Sequence, residues 1–396
     1  MKILFKTVII YFFLILVFSL NPVFAEVGTV TYVLGKVQKK DASGNVTRIR
    51  KKYFVDSGDT VITSKNGQAM IVMLDESKIT IRPNTEFIVE KYSYRKNASK
   101  DKSHFELVKG GFRSVTGVMG KKNKKSFKLK TNIATMGIRG TDFDLSYCET
   151  NCSDNKGLFV NVVSGSVSLS SEGGSMDVVA GEIGEVSGAG VAPELVDELP
   201  KSMRIGKTDS KGGVNDGSYP SHEEEMVAIA LNQDPSNAMF QGLVDEGLPT
   251  DDILKGAVSI GMDPTDVVET LLKINPDSDE VLQKSAEAIP EQAGDFTTMG
   301  IVLGDVSDQT ISNIQTIDGV DPNAVQSGQV LGELIAPRKE NKTESEDSPK
   351  SDRAGKASST PPIGEPPRSK PDGIPPIDPE LLPGSGTGGG EPPSAS

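Results

Sequence analysis

The chain has 396 residues, with 42 Lys and Arg against 55 Asp and Glu and a formal net charge of −13. It contains two histidines, two cysteines and no tryptophan. His104 and His222 lie far apart in the sequence, which argues against Ser-His-Asp or Cys-His catalysis and against a zinc site with several clustered ligands.

The first 25 residues have the pattern of a secretory signal peptide. Lys2 and Lys6 precede a long apolar run, and Ala25 ends a short segment suited to cleavage. We therefore expect an exported protein, in the periplasm or outside the cell, with no transmembrane segment after cleavage. The alternative is an uncleaved membrane anchor, because the apolar run is long for a signal peptide.

Residues 26–191 predict an all-β domain. Short runs rich in β-branched residues alternate with turns of Gly, Asn, Asp and Lys. In KITIR, residues 78–82, the two isoleucines fall on one face of a strand, and Thr80 and Arg82 fall on the other. This density of short strands is typical of a sandwich, a barrel or a solenoid.

Cys148 and Cys152 are candidates for a disulfide. In an exported protein a pair of cysteines indicates a bridge, although two free thiols are the alternative. A bridge across so short a loop contributes about 2 kcal/mol, which is enough to fix a turn.

Downstream of the β domain the composition changes twice. Residues 192–220 form a polar linker, and residues 221–335 predict a small all-α region of short helices, with no assignment within 294–335. Residues 336–396 are rich in Pro, Gly and Ser and predict a disordered tail. The candidate helix N-caps are Asp234, Thr250, Asp263 and Asp277, the candidate first-turn prolines are Pro235 and Pro264, and the candidate helix stops are Gly247 and Gly261.

The charges are divided unevenly along the chain. The β region holds 25 basic and 18 acidic residues, whereas everything after it holds 15 and 37. A basic run between two strands is a candidate patch for anionic glycans or lipid phosphates, and a solvated hairpin tip is the alternative. Export makes nucleic acid an unsuitable partner. The run contains Lys121, Lys122, Lys124, Lys125, Lys128 and Lys130, with Lys109 and Arg113 upstream.

The stretch TNIATMGIRGTDFDLSY, residues 131–147, contains two glycines but does not predict a phosphate loop. A phosphate loop joins a strand to a helix N-terminus, and here an alternating strand pattern follows Gly140. The stretch therefore predicts a strand, a corner that needs glycine at Gly137 or Gly140, and a second strand. We expect Arg139 to pair with Asp142 or with an acidic group on a neighbouring strand.

The same stretch resembles the signature of the FecR (iron-dicitrate regulator) domain, and residues 28–188 keep the order of that family's segments. The resemblance implies a twisted all-β solenoid or roll. The regulator also has a cytoplasmic helical segment with tryptophans and a membrane helix. This sequence shows neither, so we expect it to be a free-standing, exported version of the domain. The motif residues, to which we assign a structural role, are Thr131, Gly137, Arg139, Gly140, Thr141, Asp142 and Phe143.

These features favour a non-catalytic cell-envelope protein whose β domain binds a protein or glycan partner. The alternatives are an envelope sensor or regulatory component related to FecR-type signalling and, third, a cell-wall-acting enzyme. Asp142 and Asp144 are the carboxylate pair most suited to catalysis, but residues two apart on a strand share a face, and we expect them to contact Arg139 or solvent. We assign no catalytic residue, metal or cofactor.

Overall fold

The computed structural model describes residues 26–96, 99–123, 125–150, 152, 156–204 and 219–336. The expected signal peptide (1–25), Lys124, most of the expected linker and nearly all of the expected tail lie outside the described residues. Within them a large β region is followed by short helices, which confirms the predicted all-β domain and the small all-α region after it.

Seventeen strands are assigned within the described residues. They are β1 (Glu26–Leu34), β2 (Val37–Lys40), β3 (Val46–Arg48), β4 (Phe54–Asp56), β5 (Thr60–Thr63), β6 (Gln68–Met73), β7 (Lys78–Ile81), β8 (Glu86–Ser93), β9 (Lys102–Val115), β10 (Phe127–Lys130), β11 (Thr135–Ile138), β12 (Asp142–Cys148), β13 (Gly157–Ser164), β14 (Ser166–Ser171), β15 (Gly174–Val179), β16 (Ile183–Val186) and β17 (Glu194–Val196).

The strands form two sheets that share β9. Sheet I has the order β17-β16-β13-β12-β9-β7-β6-β1-β4, and sheet II has the order β3-β2-β5-β8-β9-β10-β11-β14-β15. β9 pairs in sheet II up to Lys109 and in sheet I from Gly110 onward. Gly110 has a φ of +91°, and a Cβ there would lie 2.3 Å from Thr85 Oγ1. The bend that carries β9 between the sheets therefore needs glycine.

The two sheets enclose the main hydrophobic core. Side chains alternate along each strand, so Phe112 and Phe143 of sheet I point inward, and Phe112 meets Phe87 of sheet II. The ring centroids are 5.0 Å apart for Phe87 and Phe112 and 5.8 Å apart for Phe112 and Phe143, both edge to face. All three rings are buried, and burial of each stabilises the fold by about 1.5–3 kcal/mol.

The connection between β9 and β10 is a crossover, so the alternative reading of the basic run as a hairpin tip is wrong. The two strands pair in parallel, with Phe127 opposite Ser103 and Lys130 opposite Glu106. Parallel strands cannot be joined by a tight hairpin, and the connection here contains a short helix, α1 (Val118–Lys122).

Eight further helices are assigned within the described residues. They are α2 (His222–Gln233), α3 (Asn237–Asp245), α4 (Thr250–Ser259), α5 (Pro264–Ile274), α6 (Ser278–Ala288), α7 (Ala293–Leu303), α8 (Asp308–Ile314) and α9 (Pro322–Ile335). Their apolar faces form a second core, which also includes Leu34 and Met70 of sheet I. The helices therefore cover the face of sheet I that points away from the first core. No helix in the described ranges is long and apolar enough to cross a bilayer.

Several predicted helix ends are confirmed. Asp263 and Asp277 accept hydrogen bonds from the first turns of α5 and α6 and act as their N-caps. Gly247 and Gly261 follow α3 and α4 with positive φ, as helix stops require.

Other predicted helix ends are wrong. Asp234 follows the last residue of α2, and Ser236 is the N-cap of α3, so Pro235 lies outside both helices. Pro249 stands at the N-cap position of α4, where Thr250 was expected. The unassigned stretch 294–335 contains nearly all of α7 and the whole of α8 and α9. Ser307 and Asp321 are the N-caps of α8 and α9.

The β region extends past residue 191, its expected end. β17 pairs with β16, and Leu199 and Met203 pack with Phe159 and Ile183 in a small separate cluster. The segment up to 204 therefore belongs to the β region, because its apolar side chains are buried there.

The glycine corner joins the two sheets. β11 lies in sheet II and β12 in sheet I, so residues 139–141 carry the chain from one sheet to the other. Gly140 has a φ of +65°, whereas Gly137 lies within β11 and has no positive φ. Thr116 fixes the corner, because its backbone N–H and its hydroxyl both donate to the backbone oxygen of Thr141, and the Thr141 N–H donates to Thr116 Oγ1.

We expect Gly140→Ala to lower the free energy of unfolding by about 1–2 kcal/mol, because alanine disfavours the left-handed region. Gly137→Ala is the matched control, since a Cβ at Gly137 meets nothing within 4 Å and one at Gly140 meets only Lys121 Cγ at 3.8 Å. Urea unfolding of both variants checks this. Equal changes for the two would contradict the account.

Candidate functional site

The outer face of sheet I, the face covered by helices, is divided into an apolar and a charged half. In the apolar half, Leu34 and Met70 pack into the helical core. Gln68, one pleat from Met70, donates a hydrogen bond from Nε2 to the backbone oxygen of Met226 in α2, at 3.1 Å. This half fixes α2 on the sheet.

The charged half is set by strand register. Arg113 of β9 stands directly opposite Thr80 of β7 and Asp144 of β12, and Asp144 stands opposite Asn161 of β13. Cross-strand partners point to the same face, so all four side chains lie beneath the helices. Their sequence neighbours Ile79, Phe112 and Leu145 alternate with them and fill the β core.

A buried charge network, formed by Arg82, Arg113, Asp142, Asp144 and Glu225, joins this half to α2. The Arg82 guanidinium donates to Asp144 Oδ2 at 2.6 Å and to Glu225 Oε1 at 2.8 Å. Glu225 lies in the first turn of α2, where the helix dipole also favours a negative charge. A direct ion pair thus connects sheet I with the helical region.

Arg113 is the second cation of the network. It donates to Asp142 from Nη2 at 2.8 Å and from Nε at 3.1 Å, and Glu225 Oε2 lies 3.4 Å from Nη1. Nη1 also donates to the backbone oxygen of Pro220, just before α2, at 2.5 Å. The Tyr219 ring lies 4.8 Å from the guanidinium carbon, within cation–π range. Arg113 therefore holds both the sheet and the entry to α2.

Burial and neighbouring charges shift the pKa values of three groups in the network. Burial disfavours the charged form of Arg82, but Asp144 and Glu225 outweigh this and raise its pKa. Burial, aided by the Glu225 carboxylate, raises the pKa of Asp144 to about 7 against the pull of Arg82. Burial acts the same way on Glu225, but Arg82 and Arg113 outweigh it and lower its pKa. The network therefore favours the ionised form of Glu225 and disfavours that of Asp144.

His222 begins α2 at the edge of this network and is almost fully buried. Its Nδ1 lies 2.5 Å from Thr80 Oγ1, and its buried Nε2 has no hydrogen-bond partner among the described residues. Burial and the nearby Arg113 charge lower the pKa of His222 to about 4. The ring is therefore neutral at physiological pH.

A polar cleft of about 940 Å³ opens beside the network. Its walls come from the β7–β8 turn, β9, the end of β12, residues 201–204 and the last turns of α2. Four cationic side chains line it, whereas Glu149 is the one carboxylate among the described lining residues. The cationic side chains are Arg82, Lys109, Lys201 and Arg204.

The uncharged residues of the FecR-like motif have structural roles. Thr131 accepts hydrogen bonds from the backbone of Ile133 and Ala134, before β11. Phe143 is fully buried in the core between the sheets, and Thr141 and Gly140 form the corner. None of these side chains lines the cleft.

The charged residues of the 131–147 stretch form ion pairs between strands. Arg139 is half exposed and lies 3.8 Å from Asp177 of β15 in the same sheet, so of the two expected partners it has an acidic group on another strand and not Asp142. Asp142 and Asp144 do share a face, but they pair with Arg113 and Arg82, because Arg139 belongs to sheet II. The expectation that Asp142 and Asp144 contact Arg139 or solvent is therefore wrong.

The basic run does not form one surface with its upstream residues. Its described lysines lie along α1, the following turn and β10, away from the cleft. Lys130 forms ion pairs with Glu90 at 2.6 Å and Glu106 at 3.3 Å. Upstream, Arg113 is buried in the charge network and Lys109 lines the cleft.

Cys148 and Cys152 are joined by a disulfide, which confirms the predicted bridge. The bridge fixes the turn after β12, and Cys148 and Glu149 form part of the cleft wall. Among the described residues, His, Cys, Asp and Glu form no group of three or more placed to bind a metal.

Comparison with known proteins bears on the β region. Residues 59–168 match the model of the FecR protein family. This stretch is a FecR domain. It begins just before β5, ends within β14 and contains both arginines, Asp142 and Asp144 of the network. Glu225 lies outside it, so the charge network connects the FecR domain to the helical region.

Solved structures give a weaker likeness. Two crystal structures of a candidate anti-sigma factor from Parabacteroides distasonis ATCC 8503 are 12% identical, with a TM-score of 0.29, and the match covers 38% of this chain and 68% of theirs. A likeness of that degree assigns no partner to this chain. A search of curated proteins found no match.

Sequence reasoning missed the network as a unit. The alternation in KITIR correctly placed Thr80 and Arg82 on one face, but it did not show that a helix covers that face. The signal for Glu225 is faint, because it is one of three successive glutamates, Glu223 to Glu225, at the start of α2.

We expect Glu225→Gln to lower the free energy of unfolding by about 3–5 kcal/mol, because it leaves the buried Arg82 and Arg113 with one fewer counter-charge. Lys130→Gln is the control, since it breaks ion pairs that are exposed and worth less than about 1 kcal/mol. Urea unfolding of the two variants measures the difference. A smaller loss for Glu225→Gln than for Lys130→Gln would show that the network does not hold the helices.

We expect the stability advantage of wild type over His222→Gln to shrink by up to about 3 kcal/mol between pH 7 and pH 4. The pKa of His222 falls from 6.5 to about 4 on folding, so the unfolded chain takes up this proton first as the pH drops. Asp144 works in the opposite direction, since its raised pKa adds stability at low pH that is lost as the pH rises through about 7.

Because Asp144 is present in both proteins, the difference between their unfolding free energies, measured across this range, isolates His222. A pH-independent difference would contradict a buried neutral histidine.

Proposed function

We propose that this is an exported, non-catalytic regulatory protein of the FecR type, which binds an envelope protein or glycan in the cleft between its FecR domain and its helices. The composition of the cleft wall carries the proposal. Its described lining residues include Glu149 as a single carboxylate, and no histidine is among them. Such a wall suits binding by charge and hydrogen bonds more than paired acid–base chemistry.

The remaining candidates for catalysis support the same reading. Asp144 and Glu225 are fully buried beneath α2 and bound to Arg82, and Asp142 is bound to Arg113. His222 is buried with them and does not line the cleft. A substrate would have to displace α2 to reach Asp144, Glu225 or His222.

A sensing role is supported by the walls of the cleft. The FecR domain contributes β9 and the end of β12, and the helical region contributes Asn232 and Gln233 at the end of α2. A partner in the cleft contacts both regions, so it stabilises one arrangement of them over others, which is the requirement for a regulatory switch.

Export is supported by two independent features. The first 25 residues have the pattern of a signal peptide, and the Cys148–Cys152 disulfide is of a kind that persists in oxidising compartments. An envelope protein or glycan is therefore a more suitable partner than nucleic acid.

Deletion of the gene tests the regulatory role. We expect the deletion to change the transcript levels of a defined group of genes, and we expect both wild type and Glu149→Gln to restore them. Glu149→Gln keeps an amide oxygen for Asn132 and Tyr147, whose side chains now donate to the carboxylate, but it removes any acid–base function. RNA sequencing, with immunoblots to show equal protein levels, provides the measurement. Unchanged transcripts, or failure of Glu149→Gln alone, would contradict the proposal.

A further inference from the structure

We propose that the cleft binds an acidic saccharide, whose carboxylate groups are held by Lys109 and Lys201. This inference rests on the proposed function as a binding protein and names the chemical class of its ligand. It follows from the charges, the hydrogen-bonding groups and the size of the cleft.

The charges of the cleft wall are not balanced. Arg82 is neutralised by Asp144 and Glu225, and Arg204 pairs with Glu198 at 2.6 Å. Within the described residues, neither Lys109 nor Lys201 forms an ion pair, and both are exposed. Two cations in the wall are therefore free for a ligand.

The negative groups nearby do not cancel these two lysines. Glu86 is the register partner of Lys109 on β8, but the pair lies outside ion-pair distance. The Glu149 carboxylate accepts hydrogen bonds from Asn132 and from the Tyr147 hydroxyl, at 3.0 Å for the latter. The C-terminus of α2 adds about half a negative charge, which is less than either lysine contributes.

The remaining wall offers hydrogen bonds over a broad area. Asn84, Ser146, Asn232 and Gln233 carry amide and hydroxyl groups, which both donate and accept, as saccharide hydroxyls require. Apolar groups, among them Val108 and Ile229, supply the rest of the lining. The volume of about 940 Å³ is at the upper end for small-ligand sites and gives room for more than one sugar ring.

Calorimetric titration of the full chain with trigalacturonate, a trisaccharide with a carboxylate on each ring, tests this directly. We expect saturable binding that weakens as salt rises, because exposed charges are screened. The neutral trisaccharide maltotriose is expected not to bind at the same concentrations.

A pair of double variants locates the site. We expect Lys109→Gln/Lys201→Gln to weaken trigalacturonate binding at least tenfold. Lys121→Gln/Lys122→Gln removes the same two charges from α1, outside the cleft, and is expected to change affinity less than twofold. Circular dichroism checks that both variants keep the wild-type fold.

Three results would overturn the inference. They are no binding of trigalacturonate at millimolar concentration, an equal loss of binding in the two double variants, and equally tight binding of triglutamate, which would assign the cleft to acidic peptides. Each concerns the purified protein and its ligand. If gene deletion changes transcript levels but one of these three results is obtained, the regulatory proposal stands and only the saccharide proposal is contradicted.

Discussion

The structure depends on the burial of two arginine side chains between sheet I and α2. A guanidinium removed from water is tolerated only when carboxylates surround it, and here Arg82 and Arg113 meet three of them. The carboxylates of Asp142 and Glu225 lie against the two guanidinium groups, and burial together with the Glu225 charge raises the pKa of the third carboxyl, Asp144. The helices are thus held in one orientation, since only a Glu225 placed at the start of α2 reaches both arginines.

This arrangement gives the 131–147 motif a role different from that of a ligand loop. Its glycine corner moves the chain from sheet II to sheet I, its phenylalanine completes the aromatic contacts between the sheets, and Asp142 turns outward to Arg113. One short stretch therefore contributes to the fold of the FecR domain and to the attachment of the helices. The surface left for a ligand is built elsewhere, from residues of several elements that are distant in sequence.

Local features were predictable, and long-range contacts were not. Alternation identified the strands, and it placed Arg82 on the correct face of β7, because side-chain direction follows from the strand period alone. Caps such as Asp263 and Asp277 were readable because they act within one turn. The sequence could not choose between the two expected partners of Arg139, because the choice depends on which sheet a strand joins. The parallel β9–β10 pair was missed because spacing does not reveal strand direction. The cleft could not be predicted, because its lining residues are spread between Arg82 and Gln233 and no local sequence pattern shows that they lie together.

The bend at Gly110 has a consequence for how the domain folds. Since β9 holds backbone hydrogen bonds of both sheets, neither sheet can be completed or lost while the other stays intact. The partners of β9 range from β7 to β12, so most of these bonds close loops of many residues before any core is gained. Such a topology has a high contact order, which slows folding to the millisecond-to-second range and makes unfolding of the two sheets a single cooperative event. Amide protons along β9 would consequently exchange with solvent only when the whole β region opens.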